Sequence, residues 1–161
     1  MPLEMQLDGD TGIVFTRRFA APPKAVFDAH LDRDMLRRWL VGYPGWTMPV
    51  CEIDPTPGGD FRYRWEPDPG TEGEAFEITG TFHEIEPSHR ILHVERMHLA
   101  ETTPDNTIET LFEPDVDGTL MTMQMSLPTE EMRGQMLATG MADGMEATYA
   151  LLDGMLTGTA G

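Results

Sequence analysis

The side chains suited to acting on a small molecule begin with one short stretch. In CEIDPTPGGDFRYRW, residues 51–65, Phe61, Tyr63 and Trp65 alternate with Arg62 and Arg64. In an extended strand this spacing puts three aromatic rings on one face and charges on the other. Such a row either fills a core or lines a pocket, and Tyr63 and Trp65 add polar tips that can orient a ligand. Met121, Met123 and Met125 alternate likewise in LMTMQMSL, while Met141 and Met145 stand one helical turn apart. Methionine fills irregular gaps and also lines promiscuous sites, so core and pocket both remain open for these five.

Titratable candidates are sparser. In the hairpin around Ser88 a symmetric register sets Ile85 opposite Ile91, His83 opposite His93 and Phe82 opposite Val94. That register gathers Phe76, Ile78, Phe82, Leu92 and Val94 on the buried face. It sends His83, His93 and Glu95 outward with Glu77, Thr79 and Thr81, the neighbours of a solvated sheet surface. A His-His-Glu cluster can bind a metal ion or exchange protons, but no i, i+4 histidine pair supplies a firmer zinc template. Arg96 shares the parity of Leu92 and Val94. Inside a cavity it anchors a carboxylate; at the rim it snorkels out to pair with a local acid. Thr110, between Ile108 and Phe112, offers one hydrogen bond inside the cavity or is an ordinary β-branched strand residue. His30 reads as a helix-end residue, and Cys51 as a small buried hydrophobe, since no Cys-His spacing marks it as a nucleophile. Nucleophile-elbow, phosphate-loop and dinucleotide signatures are absent from the sequence. No catalytic residue, metal site or cofactor is assigned.

The elements that position these residues follow from periodicity. GIVFTRRF, residues 12–19, reads as a strand. In APPKAVFDAHLDRDMLRRWL the prolines fit a first helical turn. Val26, Phe27 and Leu31, then Leu36, Trp39 and Leu40, recur at helical spacing, and Asp32 between the groups can cap a second short helix. Strands follow at 46–54, 60–66, 74–86, 90–98, 106–114 and 119–127, joined by short Gly-, Pro- and Asp-rich turns that dictate antiparallel pairing. After Pro128, Thr129 is a candidate N-cap for a helix over 129–156. Its apolar stripe runs through Met132, Met136, Met141, Met145, Tyr149, Leu152 and Leu156, and its glycines predict a bend or irregular start. The expected fold is α+β: a seven-stranded curved antiparallel sheet wrapped around a long C-terminal helix, with two short helices after the first strand. This is the helix-grip arrangement, a single domain over 11–156 with flexible termini at 1–10 and 157–161.

Composition narrows the partners. The formal charge is −17, and of 11 basic side chains only Lys24 is a lysine. Such a field repels nucleic acid and anionic membrane surfaces, because phosphate affinity rests on Lys and Arg. No run reaches the roughly 18 apolar residues of a membrane span, and MPLEMQLDGDTG lacks the regions of a signal peptide. One cysteine, Cys51, permits no internal disulfide. The expectation is a cytoplasmic protein, monomer or homodimer, with neither nucleic-acid nor membrane-inserted partners.

Several segments together resemble the heat-shock-protein-90 ATPase activator homologue-like family: FTRRFAAPPKAVFDAHLDRDMLRRWL, WLVGYPGW, DPTPGGDFRYRW, GTFHEIEPSHRILHVE, DGTLMTMQMSL and GMEATYALLDGML. The resemblance spans residues 11–156 and places the chain in the START-related, birch-pollen-allergen-like superfamily, with its polyketide cyclases and lipid-transfer proteins. It implies a helix-grip fold, a pocket and a stress-related or regulatory role. Members named for chaperone activation carry a further N-terminal domain, which this chain is expected to lack. Where relatives often have Trp after the Gly early in the last helix, this sequence has Gly144-Met145.

The expected partner is a small apolar or amphipathic molecule held between sheet and helix, reached near the two short helices and the loop at 42–47. The helices would contribute Trp39, Met141, Met145 and Tyr149 to the lining. The first strands after them would add Phe61, Tyr63, Trp65, Phe76 and Ile78, and the later strands Val94, Arg96, Thr110, Phe112, Met121 and Met123. The alternatives are an enzyme of cyclase or hydrolase type using Arg96 or Tyr63 in the same cavity, and a co-chaperone-like protein-interaction module. The enzyme requires at least two titratable groups converging inside the pocket.

Overall fold

A computed structural model describes residues 3–42, 44–98 and 102–157. Eight strands form one antiparallel sheet in the order β1-β2-β8-β7-β6-β5-β4-β3, curved but not closed. Two short helices, α1 (Pro23–Leu31) and α2 (Arg33–Trp39), follow the hairpin of β1 (Glu4–Asp8) and β2 (Gly12–Phe19). The meander β3 (Trp46–Ile53), β4 (Asp60–Pro67), β5 (Phe76–Glu86), β6 (Arg90–His98), β7 (Asn106–Asp115) and β8 (Gly118–Ser126) then crosses the sheet, and α3 (Glu130–Ala138) and α4 (Met141–Thr157) close the chain.

The caps are where the sequence places them. The Asp32 carboxylate accepts from the amides of Asp34 and Met35 to open α2, and the Thr129 hydroxyl accepts from Met132 N to open α3. Thr139-Gly140 breaks the expected single C-terminal helix in two. Gly140 has φ +77, a left-handed conformation that glycine adopts without Cβ strain.

Two further features depart from the sequence reading. The sheet has eight strands rather than seven, because residues 4–8, expected within a flexible terminus, form β1. All five residues of β1 are exposed, so the strand has no burial to impose a hydrophobic signature. Ladder pairing with β2 and a bond from Gln124 Nε2 to Asp8 Oδ2 hold it. Of the expected flexible termini, residues 1–2 and 158–161 lie outside the described residues, and Thr157 is the last residue of α4. The second departure is a bulge in β5: Phe82 pairs with His93, but Glu84 pairs with Leu92, so His83 is the extra residue.

The helices cover one face of the sheet. Phe15, Ile13, Ile108, Phe112, Met121, Val26, Trp39 and Leu152 are almost fully buried and tie both short helices and the C-terminal half of α4 to that face. Trp39 Nε1 donates to Ala29 O at 3.1 Å, its indole stacks near the Tyr149 ring at 5.9 Å, and Tyr149 meets Phe19 edge-on. One buried charge also faces inward. Arg17 on β2, 4% exposed, donates from Nε and Nη2 to the two carboxylate oxygens of Glu146 on α4 at 2.9 and 3.1 Å, with Asp153 at 3.6 Å. The bidentate clamp fixes the height of α4 above the sheet.

Candidate ligand-binding site

The packed half of α4 ends near Tyr149. Toward the N-terminus of α4 the helix stands over a gap, and a cavity of about 580 Å³ opens between it and the inner face of the sheet. This lies within the range of about 300–1,000 Å³ typical of small-molecule sites. The roof is Met136, Thr139 and Gly140 at the α3–α4 break, then Met141, Gly144, Met145 and Thr148; the floor is the inward row of β4 to β8. Leu40, Val41, Gly42 and Trp46 border it after α2, in the region where access was expected; Tyr43 of that loop lies outside the described residues.

The expected aromatic row divides. Tyr63 and Trp65 line the cavity, joined by Phe76 and Ile78 from β5, which their register sets directly opposite. Trp65 stacks on Phe76 at 4.9 Å, and its indole N–H donates to Leu40 O, so the polar tip is occupied by backbone. Met123, Met141, Met145 and Tyr149 also line the cavity. Phe61 instead packs into the core against Phe82, and Trp39, Phe112, Thr110 and Met121 are buried beneath the helices away from the cavity. These residues do face inward; the side-chain filling around α1 and α2 is what separates them from the open space.

Val94 and Arg96 are corrected outright. The bulge at His83 shifts the β5–β6 pairing by one residue, so Val94 stands opposite Thr81 and Arg96 opposite Thr79 on the outer face. Arg96 donates to Asp105 at 2.7 Å there and offers no anchor inside the cavity.

The same shift turns His93, Glu95 and Met97 inward, opposite Phe82, Gly80 and Ile78. All three line the cavity, joined by Asn106, Ile108 and Met125. His93 and Glu95 were expected on the wet face; they are instead the titratable pair of the cavity, with His93 Nε2 2.8 Å from Glu95 Oε1. The His93 Nδ1 atom is sealed from solvent without a partner. Asn106, paired with Glu95 across the ladder, is 4% exposed. Burial foremost, and the Glu95 charge as a further cause, push the phenols of Tyr63 and Tyr149 well above the ordinary tyrosine range, so both stay neutral donors.

Close to this pair lies a second enclosed imidazole. His30 Nδ1 donates to Val26 O at 2.7 Å, and its ring packs against Trp39 and Phe112 with centroids 4.9 and 5.1 Å away. Nε2 is sealed without a partner. Burial, and secondarily the neighbouring His93, lowers its pKa to about 4, against the upward pull of the Val26 bond. His30 is thus a neutral packing residue. Cys51 is buried, and burial pushes its thiol up, away from the thiolate a nucleophile needs. Among the described residues no three His, Cys, Asp or Glu side chains stand together as a metal site.

A curved antiparallel sheet, a C-terminal helix across its concave face and a side-chain-lined cavity between them define a helix-grip domain. The chain belongs to the Activator of Hsp90 ATPase homolog 1-like family, which it matches over residues 20–157. A protein of Rhodobacter sphaeroides is 31% identical and superposes with a TM-score of 0.84 over 97% of this chain and 98% of its own. Two further structures share the fold: one from Mycobacterium smegmatis, 24% identical with TM-score 0.85 over 98% and 99%, and an AHSA1-like protein from Aeromonas hydrophila, 20% identical with TM-score 0.71 over 92% and 94%. No curated protein matches the chain. No helix among the described residues is long and apolar enough to cross a membrane.

Proposed function

We propose that this domain binds a small apolar or amphipathic molecule in the cavity between the sheet and α4. The observation that carries the reading is the cavity itself, about 580 Å³ lined by aromatic, aliphatic and methionine side chains with one polar corner. Affinity comes from apolar burial at about 25 cal/mol per Å², and the polar corner sets orientation. Gly144 provides the test. It lines the cavity, and a Cβ built there meets nothing within 4 Å. Gly144→Leu therefore starts a side chain into the space with its Cβ clear of protein atoms and improves helix propensity. Native mass spectra of purified wild-type protein, followed by denaturing extraction, are expected to show a bound apolar compound that Gly144→Leu loses while melting at a higher temperature. A clean ligand-free mass, with no thermal shift across lipid, polyketide and aromatic panels, would refute the reading.

A second reading is carried by the His93–Glu95 pair at 2.8 Å inside the cavity, the convergent titratable groups an enzyme requires. On this reading Glu95 orients His93 and the pair moves a proton on a cyclase- or hydrolase-type substrate. It separates from the first by turnover of an identified ligand that His93→Gln abolishes with binding retained. The interaction-module reading has less support. Among the described residues the exposed large apolar side chains are Met5 and Leu7 on the edge strand and Val116 in the β7–β8 turn, far short of a standard interface.

A further inference from the structure

The polar corner of the cavity has a definite sign. Glu95 lies on β6 between Gly80 and Asn106 on the flanking strands. Gly80 offers no side chain to pair with it, and none fits there: a Cβ would collide with the Phe61 ring and the Val94 carbonyl. Glu95 Oε1 meets His93 Nε2, and among the described residues Oε2 has no hydrogen-bond partner. Asn106 is 4% exposed and lines the cavity, yet its side-chain amide makes no hydrogen bond among the described residues. Among the described residues no arginine or lysine lines the cavity. The one inward-facing cation of β2, Arg17, is held by Glu146 and Asp153.

A partly exposed carboxylate whose one partner is the His93 imidazole, beside a buried amide without a partner, is an incomplete set of interactions. A ligand carboxylate would set two like charges together in a low dielectric and leave Glu95 Oε2 without a donor. An ammonium group supplies the missing charge, donates to Oε2 and gives a second N–H to Asn106 Oδ1. The surrounding charge of −17 concentrates cations at the mouth and depletes anions.

We infer that the cavity selects amphiphiles whose polar end is a cationic, hydrogen-bond-donating nitrogen, with Glu95 and Asn106 as the residues that read it. The inference rests on the cavity-binding reading above, and the test separates the two. A neutral solvatochromic dye, Nile red, is bound to the full chain at about pH 8. It is then displaced by dodecylamine, dodecanol and dodecanoate, each below its micelle concentration. The chains are identical, so the three differ only at the head. Dodecylamine is expected to displace at concentrations about tenfold lower than dodecanol, with dodecanoate weakest.

Glu95→Gln is nearly isosteric and removes one of 28 acidic side chains, leaving non-specific attraction almost unchanged. In that variant the amine's advantage over the alcohol is expected to shrink to about twofold or less, with folding checked by urea denaturation. Asn106→Leu, a second variant, lowers amine affinity while leaving dodecanol displacement in place. Dodecanoate displacing as well as the amine, or an amine advantage that survives Glu95→Gln, overturns the inference while leaving the cavity reading intact. Absence of dye binding and of displacement by all three overturns both.

Discussion

Protonation of His30 is the sharpest quantitative consequence of the packing. A second proton on this ring must sit on Nε2, which is sealed and faces no acceptor, and the ring is wedged between Trp39 and Phe112. The folded pKa is about 4, against 6.5 for the unexposed-to-structure reference. The unfolded chain therefore binds a proton that the folded chain refuses whenever the pH lies between these values. Stability is complete above about pH 6.5 and falls as pH drops toward about 4, at about 1.36 kcal/mol per unit. The loss is about 2 kcal/mol at pH 5 and roughly 3 kcal/mol at pH 4.

His30→Phe keeps the ring and removes the titration. It also removes the bond to Val26 O, which shifts stability by a constant amount. The assay is equilibrium urea unfolding followed by tryptophan fluorescence between about pH 8 and pH 5, for both proteins at one ionic strength. The carboxylates titrate alike in both, so the stability difference isolates His30. That difference is expected to move by about 2 kcal/mol in favour of His30→Phe across the range. A difference constant within about 0.5 kcal/mol would show that the folded protein accepts the proton, and the enclosure of His30 would be refuted.

Further perturbations probe the scaffold. Arg17→Met strands Glu146 and Asp153 without their cation and is expected to cost about 3 kcal/mol in urea unfolding; adding Glu146→Leu recovers part of it. Arg17 foremost, with the Leu3 amide, holds the Glu146 carboxyl below its usual range, so this contribution is present above about pH 4.5 and is lost as pH falls through the lower folded value, an acid limb that Arg17→Met reduces. Gly140→Ala is expected to destabilise by about 1–2 kcal/mol because its φ of +77 is left-handed, whereas Gly134→Ala, in helix with open space around its Cβ, stabilises by about 1 kcal/mol; paired thermal melts decide both. Gly80→Ala forces the Phe61 ring and the Val94 carbonyl away from the new Cβ and is expected to cost about 2–3 kcal/mol, read by urea unfolding and by displacement of the Phe61 resonances.

Most elements were legible because their burial is periodic. Phe61, Tyr63 and Trp65 on β4, the methionines on β8 and the caps Asp32 and Thr129 all stand where alternation and capping rules put them. β1 escaped because it buries nothing, and a strand held by ladder bonds alone leaves no hydrophobic trace. The two histidine-side errors share one origin. In β5 the outward polar residues are Glu77, Thr79 and Thr81, and beyond the bulge Glu84 and Glu86, which pair with Arg90 on the outer face. The change from odd to even positions is present in the sequence and marks the bulge; a symmetric hairpin register overlooks it and exchanges His93 and Glu95 for Val94 and Arg96. Which inward residues touch open space rather than core depends on how α1 and α2 fill the concavity, a three-dimensional volume that spacing along one strand does not encode.

The bulge at His83 also sets how readily this pocket can change its preference. A regular register that kept this residue in the ladder, pairing His83 with His93 and Phe82 with Val94, would make the two sides of β6 trade places. Leu92, Val94 and Arg96 would then face the helix and His93 and Glu95 the solvent, converting an acidic pocket into a basic one without altering a single pocket codon. A one-residue slip of register in this hairpin is thus a route between opposite cavity charges on the same fold. Relatives of the same hairpin length whose outward polar positions keep one parity from Thr81 onward are the ones to compare for opposite ligand charge.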